Sequence, residues 1–165
     1  MKKILLIAIL VVASTLTNWS VYAQQIPSVE ESVKQIVEEL DDVQGVDCLV
    51  VTKGLELAIV KGVFTSKFGK EFMKDATSLI LVNFSKASVE VRESFKSRIE
   101  AFSGQLQEFS LNKQDFQEEK YIKSYATINE GSLISDFMVI MENDKSAMFF
   151  YMGGILDVSK MQLNL

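Results

Sequence analysis

Hydrophobic residues crowd the C-terminal part of the chain in two runs of strand length, 134–142 and 147–155, with the turn-forming residues Asn143 to Lys145 between them. Both runs are apolar at odd and even positions alike, which predicts a β-hairpin inside a sheet covered on two sides. Residues 121–128 form a third run, set off by a turn containing Gly131, so three successive strands make an antiparallel meander. Upstream, 46–52 (VDCLVVT) reads as an interior strand, apolar on both faces, and 77–84 (TSLILVNF) as another.

Between these strands the apolar period lengthens to three and four. Ser28 and Glu31 have the spacing of a capping box, and Val29, Val33, Ile36, Val37 and Leu40 then share one helical face opposite Glu30, Glu38, Glu39, Asp41 and Asp42. A second helix is expected over 53–65, capped by Thr52. Phe64, Phe68 and Phe72 recur every four residues beyond it, but Gly62 and Gly69, at about 1 kcal/mol each in a helix interior, argue against an unbroken helix through Phe72. That aromatic row reads as core; its rival reading, with the nearby lysines, is a membrane-surface patch. The third helix is amphipathic: Ala87, Val91, Phe95, Ile99, Phe102 and Leu106 step along one face, and Glu90, Glu93, Lys96, Ser97 and Glu100 face away. Residues 107–120, including Phe109, Leu111 and Phe116, should form a surface connection with a short extended piece. At the C-terminus 157–161 makes a closing turn, with Leu163 and Leu165 tucked behind it.

The pattern therefore predicts an α+β domain over 28–165 with a mixed sheet of about five strands and about three helices. A strand-helix-strand order at the start makes a right-handed crossover with parallel strands the default, and the meander completes the sheet.

Residues 1–23 stand outside this pattern. Lys2 and Lys3 precede a ten-residue apolar run, Ile4 to Ala13, then a polar segment and Val21-Tyr22-Ala23. That is the layout of a secretory signal peptide cleaved between Ala23 and Gln24, with 24–27 left as a tether. The run is about half the ~20 residues a membrane-spanning helix needs, so no transmembrane segment is expected in the mature form. The only cysteine, Cys48, is far from the cleavage site, so a lipid anchor is not supported.

Charge and chemistry narrow the function classes. Without Lys2 and Lys3 the 17 basic residues fall to 15 against 22 acidic ones, a net charge of −7, which disfavours nucleic acid as a partner. Histidine is absent, which removes Ser-His-Asp and Cys-His catalysis and histidine-ligated metals. Cys48 reads as a small core residue with no base to activate it. Asp136 and Glu142 are six residues apart on one strand, about 20 Å, too far for a carboxylate dyad, and both should reach water near strand ends. Gly153-Gly154 reads as a bulge or strand exit, and Met138, Met141, Met148 and Met152 as core packing in preference to a copper(I) site. No catalytic, cofactor-binding or metal-ligating residue is assigned. The one enzymatic arrangement worth weighing pairs Tyr121 or Tyr125 with Asp136 across the meander.

In the order of its features the chain resembles a family of small envelope proteins, typical of Bacteroides-like bacteria, catalogued as a domain of unknown function. The features are a signal sequence, an acidic amphipathic helix, the strand at 46–52 running into Lys53-Gly54-Leu55, the strand near 79–84, and a hairpin ending in Gly154-Ile155-Leu156-Asp157-Val158. The resemblance implies an envelope location and transfers no catalytic residue. The expectation is an exported, most plausibly periplasmic, non-enzymatic binding module for an envelope protein or small ligand. An accessory role in envelope-response signalling is its variant, and the sheet face is where a second copy could bind.

Overall fold

The computed structural model describes residues 27–111 and 120–161. The leader, the Ala23/Gln24 cleavage site, Phe116, Leu163 and Leu165 lie outside the described residues. The described part opens with the capping box: the Ser28 hydroxyl accepts from the Glu31 amide while the Glu31 carboxylate accepts from the Ser28 amide at 2.9 Å. Helix α1 (Val29–Glu38) follows, then strand β1 (Asp47–Val51), helix α2 (Gly54–Phe68) and the short helix α3 (Lys70–Met73). Strand β2 (Ala76–Asn83) leads to helix α4 (Val89–Glu100), capped by Ser88 and continued by a 3-10 turn, Ala101–Gly104. The remainder is β3 (Gln107–Glu108), β4 (Tyr121–Ile128), β5 (Leu133–Glu142), β6 (Ala147–Gly154), β7 (Leu156–Asp157) and a closing 3-10 turn at Val158–Lys160.

The α+β class and the C-terminal antiparallel meander stand as the sequence predicts. The rest of the sheet differs in three ways. It has seven strands among the described residues, because β3 adds to β4 and β7 adds to β5. It is antiparallel throughout, in the order β1-β2-β6-β5-β4-β3. And β1, expected inside, is an edge strand. The parallel crossover fails because α2 and α3 form a bent return. Gly69, at φ 90°, breaks the helix before Phe72, and Lys61 Nζ donates to the carbonyls of Lys74 (2.6 Å) and Ala76 (3.1 Å). The chain thus enters β2 at the end where β1 finished, with Val51 opposite Leu79. The break also makes four helices where three were expected. Thr52 does not cap α2; Lys53 occupies that position without a side-chain cap.

Alternation along the central strands divides the interior into two cores. Ile80, Val82, Met138, Ile140, Phe149 and Tyr151 face α1 and α4, where Val33, Val37, Phe95 and Ile99 meet them. Leu79, Phe137, Val139, Phe150 and Met152 face α2 and α3. Phe68 and Phe72 are buried there, and the rings of Phe64 and Phe68 lie 4.8 and 5.4 Å from that of Phe150, so the aromatic row is core and the membrane-surface reading of these residues is corrected. The hairpin is covered on both sides, so its face is not open to a second copy. Met138 and Met152 point into opposite cores, which accounts for them as packing residues.

Phe137 is fully buried in the second core, edge-on to Phe72 and Phe109. Phe137→Ala should lower the unfolding free energy by about 3–5 kcal/mol in urea titrations, whereas Leu55→Ala, at a side chain 77% exposed, should change it by less than about 0.5 kcal/mol.

Candidate functional site

Polar groups collect at three places in this frame, and each has its own cause. The first is a bulge in β5. The β4–β5 register slips between Tyr125 and Thr127, so Asp136 and Phe137 together oppose Ala126. Asp136 takes φ 50°, a left-handed conformation that costs energy for a residue with a side chain. Its carboxylate is thereby re-aimed: one oxygen accepts from Tyr151 at 2.9 Å and the other from Thr127 at 3.1 Å. Asp136 is therefore held mid-sheet by a buried tyrosine, not left at a strand end as the sequence suggests. The hydroxyl that reaches it is that of Tyr151, neither Tyr121 nor Tyr125.

Three oxygens converge beside this pair, over Gly153. A Cβ at that position would stand 2.3 Å from Ser78 Oγ, 2.8 Å from Glu30 Oε2 and 3.2 Å from Tyr151 Oη. Ser78 Oγ is buried with no hydrogen-bond partner among the described residues. The group brings two acids, Asp136 and Glu30, to one buried tyrosine. Burial first, then the Asp136 and Glu30 charges, push the Tyr151 phenol far above its ordinary value, so it stays a donor. Gly154, at φ 100°, then carries the chain out of β6, as the double glycine predicts.

The second place is the far end of the same strand. Glu142 accepts from Arg92 (2.8 Å) and Lys96 (2.7 Å), which pins α4 to the sheet. Lys96 was expected to face solvent; it is 8% exposed because Glu142 draws it inward, and its ammonium also meets Glu93 at 2.7 Å and lies 4.8 Å above the Tyr121 ring. Burial alone would lower its pKa, but the hydrogen bonds to Glu142 and Glu93 outweigh it and raise the value. Next to it Glu100 accepts from Tyr121 (2.5 Å) and Lys123 (2.6 Å), and these bonds hold its carboxyl below the ordinary range. Burial and Glu100 push the Tyr121 phenol up, so this tyrosine too remains protonated.

The third place is a groove of about 480 Å³ between α1 and the edge strand, lined by Lys34, Val37, Glu38, Asp41, Cys48 and Val50. Cys48 is half-buried; burial, then Asp41 and Asp47, raise its thiol pKa, the opposite of what a nucleophile requires. Glu38 and Asp41 are the acids that line this groove, and no metal-binding cluster forms among the described residues.

The carboxylates Asp136, Glu142 and Glu100 thus each have donors within the fold. What lacks cover is apolar. Helix α2 carries apolar residues on two faces: Leu57, Val60, Phe64 and Phe68 pack on the sheet, while Leu55 (77% exposed), Ile59 (59%) and Val63 (66%) lie on the opposite face. Residues 53–65 read as one helix, and apolar residues on both of its faces are the signal the sequence offers for this exposed side. Among the described residues no helix is long and apolar enough to cross a membrane. Comparison with known protein families, with curated proteins and with solved structures finds no match to this chain.

Two outcomes test these assignments. Gly153→Ala should destabilise the fold by roughly 1–3 kcal/mol in thermal or urea unfolding, because the new methyl would stand 2.3 Å from the buried Ser78 hydroxyl and overpack the space between β2 and β6. Glu100, with its carboxyl pKa lowered in the fold, adds stability that is full above the ordinary value of 4.5 and is lost as the pH falls through the folded value. The stability difference between the wild type and Glu100→Gln should therefore be constant near neutral pH and shrink on acidification below 4.5.

Proposed function

We propose that this protein is an exported, non-enzymatic envelope module that acts by holding another envelope protein against the outer face of α2. The observation that carries this reading is the exposure of Leu55 and Ile59, one helical turn apart on the outer face of α2. Contiguous exposed apolar side chains of this size are what protein-binding surfaces use. The leader pattern of residues 1–23 and the resemblance to small envelope proteins support export to the periplasm. The binding reading is favoured over a carboxylate-and-tyrosine enzyme because Tyr121 and Tyr151 are both driven toward the neutral form and each is bonded to an acid.

The test is affinity capture of the tagged chain from its native envelope, wild type beside Leu55→Glu/Ile59→Glu, with mass spectrometry of the eluates and of the N-terminus. A shared partner should accompany the wild type and be lost at least tenfold in the double variant, whose thermal midpoint stays unchanged, and the captured chain should begin at Gln24. Capture indifferent to the two substitutions would overturn the assignment of this face.

A further inference from the structure

The two edges of the sheet are treated differently. One ends in β3, a two-residue strand of Gln107 and Glu108, short and polar. The other ends in β1, whose run Cys48-Leu49-Val50-Val51 has no charge, proline or glycine, with Leu49 43% and Val50 42% exposed. Edges are normally protected by charge, proline, brevity or a covering segment, since their unpaired amides and carbonyls invite another strand. Among the described residues β1 pairs with β2 alone. Its composition is that of an interior strand, and it stands where one further strand would make it interior.

We infer that the missing strand is β1 of a second copy, paired antiparallel about a twofold axis through Val50. This surface is separate from the α2 face and does not depend on it. The register follows from charge. Turning one copy about that axis sets Leu49 against Val51, Cys48 against Thr52, and Asp47 against Lys53 of the second copy. Both charged residues are exposed, and neither makes an ion pair among the described residues. Lys53 is still extended, at φ −168° and ψ 171°, so the ladder can reach it before Gly54 turns the chain into α2. Directly opposed unlike charges stabilise a cross-strand pair, and here the twofold generates two of them. A register centred on Leu49 would instead set Asp47 against Val51.

There is also room for the second strand. On the α1 side a groove of about 480 Å³ runs past Cys48 and Val50, and Val50 is left exposed there, so α1 does not fill the approach to the edge. The pairing is isologous and closes on itself, giving a dimer and not a fibre. The contact is short, so association should be weak and concentration-dependent.

Sedimentation equilibrium of the processed chain over about 1–200 µM tests this. The wild type should pass from monomer to dimer, and Val50→Lys should remain monomeric with an unchanged thermal midpoint, since the site is solvent-accessible. Asp47→Lys and Lys53→Asp should each weaken association about tenfold, and the two together should restore it. In a Cys48→Ser background, Val50→Cys should form a reducible dimer on oxidation and Leu49→Cys should not. A wild type that stays monomeric throughout overturns the proposal. So does a dimer that survives Val50→Lys but is lost in Leu55→Glu/Ile59→Glu, which would place the contact on α2. Failure of the exchanged pair to restore association overturns the register.

Discussion

The strict alternation of β6 is the constraint from which the rest of this structure follows. Phe149 and Tyr151 enter one core and Phe150 and Met152 the other, with β5 supplying Ile140 and Val139 beside them in the same sense. A strand pair buried on both faces demands apolar cover on both, so the helices must divide. Helices α1 and α4 take one side, and α2 with α3 takes the other. The aromatic ladder from Phe64 and Phe68 to Phe150, and the pair Phe95 and Phe149 at 5.2 Å, are the points where each layer is fixed to the sheet.

Once both faces are closed, a polar group on these strands must find its partner inside the fold. At one end the backbone bends to make this happen: Asp136 accepts a strained conformation so that its carboxylate can meet Tyr151 and Thr127. At the other end Glu142 meets cations that α4 brings down to it. Each carboxylate is matched to donors that hold it in place. Such matching rigidifies and orients the elements that carry these groups.

What was legible in the sequence was local. The capping box of Ser28 and Glu31, the bounds of β4 and the turn at Asn143 depend on residues within a few positions of one another, and all appear as read. The direction of β1 against β2 was not legible, because the crossover rule assumes a helix that carries the chain back along the sheet, whereas Gly69 and the Lys61 bonds fold the connection back on itself. Lys96 and Glu142 are 46 residues apart, and no local pattern announces their pairing. The Asp136 bulge is likewise set by how β4 and β5 pair, since nothing in Ser135-Asp136-Phe137 alone calls for an extra residue. The groove beside Cys48 depends on how far α1 stands from β1, which periodicity does not report.

The places where sequence and structure disagree about burial share one physical reason. Residues 46–52 read as an interior strand and form an edge; Leu55 and Ile59, apolar residues of the helix expected over 53–65, face outward. Hydrophobicity along a chain records that a segment is to be covered, and carries no information about which molecule covers it. In a sheet whose central strands already bury both faces, apolar positions left outside are not needed to complete the interior. Exposing them favours association and aggregation, while exchanging Val50 or Ile59 for a polar residue should cost the isolated fold little at such exposure. The edge strand and the outer side of α2 are where the proposed contacts with other chains would cover these residues, and the charges that bracket β1, Asp47 before it and Lys53 after it, would favour pairing with the same segment reversed.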